Sequence, residues 1–528
     1  MIRRNALFIG LLVVVAVARF TILLVSQTHV HSDEAIIGLM GKHILEGRSF
    51  PFYMYGQPYN AGAAWEAYLA VIPFSIFGVG VVPLKSCIVV LSLLCLVLFY
   101  WMCAVLYNVR TALFASIVFA LAPSLLKWHF QVRGYSWYFL SIPLLTTLWM
   151  LIQSDPSPKR AKFLMFGICS GLSIWCLELA LPLVVTLSIL LIVRRKLSLN
   201  NAAVGIAGFA IGYAPAIAYN LTHHFSNWKY LTVERPGGGL VTLFHFSTYV
   251  RIFFREMPKF FGPDTVLWYY PETPLSGFVF YAIAMLAVAC ALWPFVKSPS
   301  KIGRALRGNL VEREQQKDLA LIALIVASFV PYLTVPVGVP SYFFGGCFFL
   351  SALTGRLLER SFSSSMTLSR LGGAGLLGAV LLTGIGAMID VGRHNQIETL
   401  TSCDHEKSYC MTRIPAHDIE GVQEHLRRDH VTSVWTTISF VYPLLFESGE
   451  TLAVSDAIFG YPLRVYPRTV PWREPIRDQA AAFVIESDST FRRSLEIHYQ
   501  QATGSMPSIA EYGKLVVIEA QSRNPSFR

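Results

Sequence analysis

The sequence predicts an α-helical polytopic membrane protein of about eleven transmembrane helices with a small C-terminal α/β domain on the outer face. Three observations lead there. Apolar residues make up 54% of the 528 and charged residues 14%, with a mean hydropathy of +0.51. A soluble chain carries roughly 25% charged residues, so polar surface is too scarce here to solvate several globular domains. Repeated apolar runs approach the roughly 20 residues that a bilayer demands. Beyond residue 390 the texture changes to short strand-like and helix-like stretches in alternation. The same composition excludes a disordered chain, a collagen-like repeat and a disulfide scaffold, because nine Cys in 528 residues are sparse.

In order, the apolar runs fall at 6–27, 82–106, 111–128, 135–152, 202–221, 275–296, 319–335, 340–358 and 371–390. Residues 163–193 are too few for two full spans, yet Lys159/Arg160/Lys162 and Arg194/Arg195/Lys196 flank both ends. If both clusters are cytoplasmic, the chain enters and returns as two short helices with a tip near Glu178 and Pro182. Arg3/Arg4, Arg110, the group from Lys297 to Lys317, and Arg356/Arg360/Arg370 fall on the same side. The N-terminus is therefore expected in the cytoplasm and the C-terminus outside, in a bacterial inner membrane. The excess of 43 basic over 32 acidic residues, +11, then reports topology and lipid phosphate, and no nucleic-acid partner is expected. A cleaved signal peptide would also explain Arg3/Arg4, the first apolar run and Ala16-Val17-Ala18, but the many later spans favour a retained helix. No internal repeat is apparent.

This topology gives a transmembrane domain, 1–390, with outer loops 28–81 and 222–274, and an outer domain, 391–528. The first loop is no plain linker. Ala35 through Leu45 and Ala61 through Phe77 both have helical apolar spacing, which suits two helices along the membrane surface. In the tail, helices are expected at 417–428, 438–448 and 490–501, and strands at Val431–Trp435, Leu452–Ser455, Ala480–Ile485 and Lys514–Glu519. Cys403 and Cys410 are the two Cys outside the expected spans and could pair in an oxidising compartment. The other seven read as buried apolar fillers.

His31-Ser32-Asp33-Glu34 follows directly on the first span. Ser32 or Asp33 could simply cap the next helix, with Glu34 favoured by its dipole. The sharper reading is a general base, because a carboxylate with restricted hydration can accept a proton from a hydroxyl or amine. Glu66 is a second acid in the same loop, set in an apolar helix where it needs a partner, Lys42 or Arg48, or a function. Arg133 sits in Phe130-Gln131-Val132-Arg133-Gly134-Tyr135, with Lys127 and His129 nearby; it could snorkel to the interface or hold a phosphate with both guanidinium edges. In the second loop, Lys229, Arg235 and Pro236-Gly237-Gly238-Gly239 could form a flap approaching a phosphate, or a flexible linker. Arg251/Arg255/Lys259 with Phe253/Phe254 suggest an interfacial helix against anionic lipid.

There is no Walker loop, GxGxxG, HExxH or CxxC, so nucleotide hydrolysis, hydride transfer and zinc proteolysis lack support. His223-His224 has no third ligand nearby, and no metal site is expected there. The outer acids could bind a divalent cation, but their spacing does not demand it.

Taken in order, these segments resemble the polyprenyl-phosphate-dependent glycosyltransferases of the GT-C fold, which include the protein O-mannosyltransferases and the lipid A aminoarabinose transferases. The resemblance lies in Ser32-Asp33-Glu34-Ala35, Tyr55-Gly56-Gln57-Pro58-Tyr59, Trp65-Glu66-Ala67-Tyr68 and Val132-Arg133-Gly134-Tyr135. It continues in Gly212-Tyr213-Ala214-Pro215, Tyr219-Asn220-Leu221, Tyr442-Pro443-Leu444 and Phe446-Glu447-Ser448-Gly449-Glu450. It implies transfer of a sugar from a lipid-linked phosphate to an acceptor on the outer face, usually with inversion. It further implies Asp33 as base, Glu34 as its support or substitute, Glu66 as the second acidic position, and Arg133 on the donor phosphate. Gln57, Tyr59, Lys229 and Arg235 are the further donor-binding candidates. An already activated donor needs no nucleotide site, which agrees with the missing motifs. Late in the core the sequence departs from the family: Pro340-Ser341-Tyr342-Phe343-Phe344 places Ser341 where an arginine is common. A donor-phosphate contact from that segment is therefore not expected.

A transporter or lipid flippase would also use many helices with scattered charges, but no matched halves are seen and the long outer tail has no place in that reading. A polysaccharide polymerase or ligase would share the lipid donor and would lean on outer arginines and a histidine.

Overall fold

The computed structural model describes residues 2–234, 250, 252–261, 275–308, 312–334, 340–393, 396–402, 409–456, 482–487 and 489–519. The chain opens with α1 (Ile2–Ser26), α2 (Ser32–Leu45), α3 (Ala61–Phe77) and α4 (Val81–Leu106). It continues through α5 (Val109–Ala120), α6 (Ser136–Ser154), α7 (Arg160–Cys176), α8 (Leu181–Val193), α9 (Leu199–Gly212) and α10 (Ala214–Thr222). Then follow α11 (Leu275–Lys297), α12 (Arg313–Thr334), α13 (Phe344–Ser363) and α14 (Thr367–Arg393).

Among the described residues, four of these (α1, α4, α11 and α14) are long and apolar enough to cross a bilayer. A fifth crossing results if α9 and α10, bent by 55°, are taken as one broken span. This is fewer than the eleven or so apolar runs suggest, because several runs are broken or short. Within the run at 111–128, α5 ends at Ala120, before Leu121 and Pro123 interrupt it, and the chain proceeds by two short turns, Pro123–Leu126 and Lys127–His129. The stretch 163–193 does form two short helices, α7 and α8, separated by a 3-10 turn at Glu178–Ala180, with Pro182 in the first turn of α8 where a missing N–H costs nothing.

Contacts divide the chain into two compact units that do not follow chain order. One comprises Met1–Phe20, Pro58–Trp65 and Ile88–Val391. Its core is aromatic: Phe99 stacks on Phe119 at 4.5 Å, and Phe348 meets both, at 5.9 Å and 4.7 Å. On α12 and α13, Asp318 and Arg356 form a buried pair at 2.8 Å, and the Tyr107 hydroxyl donates to Asp318 at 2.7 Å. Helices α7 and α9 lie backbone to backbone. A Cβ added at Gly167, Gly171, Gly208 or Gly212 would collide with the main chain of the opposite helix, so only glycine permits this approach.

The other unit comprises Thr21–Gln57, Glu66–Cys87 and Gly392–Arg528. It joins most of residues 28–81 to a sheet domain. A hairpin of β1 (Gln396–Ser402) and β2 (Tyr409–Pro415) leads into α15 (Ala416–Arg428), β3 (Ser433–Thr436), α16 (Ile438–Glu447) and β4 (Ala453–Asp456). Next come β5 (Ala482–Glu486), α17 (Thr490–Thr503), β6 (Ser508–Tyr512) and β7 (Leu515–Glu519). The five-stranded sheet has the order β4-β3-β5-β7-β6, with β3 parallel to β4 and β5, and β7 antiparallel to β5 and β6. Every strand and helix expected in the tail is present within a few residues. The hairpin and β6 were not expected. Helix α2 packs on α16 so closely that a Cβ at Gly38 would strike the Phe446 ring, and Phe446 also meets Phe74 at 6.3 Å.

Candidate functional site

Helix α2 begins with a capping box whose cap is His31, not Ser32 or Asp33. The His31 Nδ1 accepts the Asp33 N–H at 3.1 Å, and the Glu34 carboxylate accepts the His31 N–H at 3.1 Å. An imidazole nitrogen takes the role usually played by a hydroxyl or carboxylate oxygen, which leaves the Asp33 side chain out of the cap. The two adjacent acids therefore differ in environment. Glu34 is 2% exposed and pairs at 3.4 Å with Lys85, itself 3% exposed, in the first turns of α4. Lys85 Nζ also donates to the His29 carbonyl at 2.5 Å. Asp33 is half-buried, and its carboxylate makes no hydrogen bond among the described residues.

The segment entering α2 is gripped from the sheet domain as well. His29 Nε2 lies 3.4 Å from Glu420 and Nδ1 lies 3.5 Å from Glu447, while the Val30 N–H donates to Glu447 at 3.4 Å. Gln423 donates to the same Glu447 carboxylate. Burial works against charge on His29, but the Glu447 and Glu420 carboxylates outweigh it and hold the imidazole above its ordinary pKa.

Glu66 is 2% exposed on α3. The two cations considered for it lie elsewhere: Lys42 pairs with Glu450 and, at 3.4 Å, with Glu46, while Arg48 meets Glu46 at 2.9 Å and Glu450 at 3.2 Å. His43 joins them, 3.0 Å from Glu450 and 3.1 Å from the Tyr55 hydroxyl. Burial opposes charge on Glu46, yet Arg48 and Lys42 hold its carboxyl below the usual range. Gln57 is half-buried in this unit, its N–H bonded to Met54 O at 3.1 Å.

The remaining candidates belong to the other unit. The Arg133 guanidinium lies over the Trp128 ring at 5.4 Å, and Asn60 donates to the Arg133 carbonyl at 3.4 Å. Gly134 has φ +83, and a Cβ on Gly62 would collide with its carbonyl, so the two glycines let the start of α3 touch the loop that carries Arg133. Tyr59 stacks on Tyr230 at 4.4 Å and 7°, next to the exposed Lys229, and Asn227 donates to the Pro58 carbonyl at 2.6 Å. Tyr59 and Arg133 are thus both tied to the Pro58–Trp65 segment. His129, read from sequence as a neighbour of Arg133, is 2% exposed and faces Phe119 at 6.2 Å inside the aromatic core.

Arg235, the Pro236–Gly239 run and Cys403 lie outside the described residues, as do the side chains of Cys410, Arg251, Arg255, Lys259 and Ser341. Among the described residues, the group that brings three potential metal-ligand atoms within 4.8 Å of one another is His425, Asp429 and Glu519, in the sheet domain, and it includes none of Asp33, Glu34 and Glu66. Sequence reasoning missed Lys85 and His29. Lys85 reads as an ordinary cation at the mouth of an apolar run, and nothing local announces its pairing with Glu34.

No known family model matches the chain, and no curated protein matches it. Solved structures do. The chain is similar to ArnT from Cupriavidus metallidurans bound to undecaprenyl phosphate, with a TM-score of 0.55 and 15% identity over 98% of each chain. The apo form of the same protein matches with a TM-score of 0.55 and 14% identity over 97% of each chain. It is also similar to the Archaeoglobus fulgidus oligosaccharyltransferase tethered to an acceptor peptide, with a TM-score of 0.51 and 11% identity, covering 86% of this chain and 64% of that one. The fold is therefore that of the GT-C membrane enzymes, extending over nearly the whole chain.

Proposed function

We propose that the protein is a membrane glycosyltransferase that moves a sugar from a polyprenyl-phosphate carrier to an acceptor outside the cytoplasm, with inversion, and that Asp33 is its general base. The observation that carries this reading is the unequal pair after α1: on a GT-C fold, Glu34 is buried and paired while Asp33 is half-buried and uncommitted. A base must be able to take and release a proton, which a carboxylate locked in an ion pair does poorly.

In the step, Asp33 accepts the proton of an acceptor O–H or N–H, and that atom attacks the anomeric carbon. The bond from that carbon to the phosphate oxygen breaks, and polyprenyl phosphate leaves with the electron pair. Arg133, with Tyr59 and Gln57, binds the donor; a fixed guanidinium charge favours the leaving phosphate most when it carries full charge. Lys229 and Arg235 add positive charge on the second outer loop, and Glu66 is the second acid. The protein takes its place in a bacterial plasma membrane, N-terminus inside, sheet domain outside, with about eleven membrane-embedded helices. Likeness to a protein bound to undecaprenyl phosphate supports this donor class.

The test uses purified protein in lipid discs with a panel of polyprenyl-phosphate sugars and a membrane extract as acceptor source. Release of polyprenyl phosphate is expected, and Asp33→Asn should lower turnover by about 10²–10⁴ while donor binding persists. Normal turnover in Asp33→Asn with loss in Glu34→Gln or Glu66→Gln would move the base. No release from any donor, with donor movement between leaflets, would replace the transferase by a flippase.

A further inference from the structure

Asp33 opens α2 directly after a segment that two outside groups hold. Lys85 Nζ reaches the His29 carbonyl at 2.5 Å and the Glu34 carboxylate at 3.4 Å, so one ammonium spans the residues before and after the base. Glu447, on α16, lies 3.5 Å from the His29 ring and accepts the Val30 N–H at 3.4 Å, and Gln423 on α15 donates to Glu447 in turn. Lys85 is 3% exposed and Glu34 2%, so neither charge is compensated by bulk water. A buried lysine is costly, and an aliphatic side chain at the start of α4 would serve packing equally well. What an ammonium adds is a fixed separation between position 29 and position 34.

We propose that Lys85 and Glu447 are positioning residues that clamp the His29–Glu34 segment and thereby fix Asp33 for proton abstraction. This deepens the transferase reading and rests on it. A base that must meet its proton within hydrogen-bond reach loses rate steeply when its turn wanders by an ångström. The sheet domain then contributes to the reaction through Glu447, although its residues need not touch substrate. The charged and titratable groups facing the segment are His29, His31, Glu34, Lys85, Glu420 and Glu447. Removing the Lys85 ammonium weakens the neutralisation of Glu34, whose other ionisable neighbour His31 lies at 3.8 Å, and nearby negative charge makes a carboxylate harder to ionise.

The experiment compares Lys85→Met, Lys85→Arg and Glu447→Gln in the full chain in lipid discs. Lys85→Met should lower kcat about 10- to 100-fold with donor KM within about twofold, and move the acid limb of the kcat profile up by about one pH unit. Lys85→Arg should restore most of kcat and the limb. Independently of turnover, Lys85→Met and Glu447→Gln should speed amide exchange at residues 29–36. Wild-type kcat and limb in Lys85→Met, or unchanged exchange in both variants, would overturn the clamp. A loss that arginine does not rescue, with an unmoved limb, would reduce Lys85 to a packing role. If the wild type transfers nothing, the transferase reading falls, and the exchange measurement still decides whether the clamp exists.

Discussion

At residue scale, the segment after α1 turns on how one histidine relieves another residue of duty. His31 supplies the cap that Ser32 or Asp33 was expected to supply, and Asp33 is left available. The acids at 33 and 34 were legible in the sequence, as was their position after the first span. Their division of labour was not, because it depends on the His31 cap and on Lys85, fifty-one positions beyond Glu34. His29 carries a pH dependence. Its folded pKa is raised above the ordinary value of about 6.5, so the folded form binds the proton more tightly than the unfolded form. The stability this gives is complete below about pH 6.5 and is lost as pH rises through the higher folded value. Thermal unfolding of the purified protein should therefore shift to lower temperature as pH rises above about 6.5. Glu447→Gln should flatten that slope, and a slope unchanged by the substitution would remove His29 from the account.

At element scale, amphipathic and apolar periodicity placed nearly every helix, including the short pair α7 and α8, and the strand-rich texture placed β3, β4, β5 and β7. The hairpin of β1 and β2 escaped because Gln396–Ser402 mixes polar and β-branched residues without clear alternation. β6, Ser508–Tyr512, escaped because it is a half-exposed edge strand with little apolar pattern. The glycines of α7 and α9 were visible as letters, but their purpose appears only where the two backbones meet. Gly208→Val would force a side chain against the Leu164 carbonyl, and a cost of about 1–3 kcal/mol is expected. Gly375→Ala on α14, where a Cβ meets nothing within 4 Å, should be neutral or gain roughly 0.5–1 kcal/mol. Thermal unfolding of the two variants separates these outcomes, and equal behaviour would contradict the close packing.

At the scale of the whole molecule, composition sufficed to assign an integral membrane protein, and the order of short motifs pointed to the GT-C fold. The number of crossings was less legible, since an apolar run of twenty residues gives the same signal whether it forms one helix or breaks in the middle, as 111–128 does. Orientation is testable directly. A thiol introduced by Glu424→Cys on the exposed face of α15 should react with a membrane-impermeant maleimide in intact cells. One introduced by Arg304→Cys, in the short helix Ser300–Leu306, should react only after permeabilisation. The reverse pattern would invert the topology and place Asp33 in the cytoplasm.

The glycine contact between α7 and α9 also bears on traffic within the bilayer. Two helices touching main chain to main chain leave no crevice between them for a hydrocarbon tail. If the proposed function holds, a long prenyl carrier threads in and withdraws along some other flank, and widening this seam cannot substitute for that doorway.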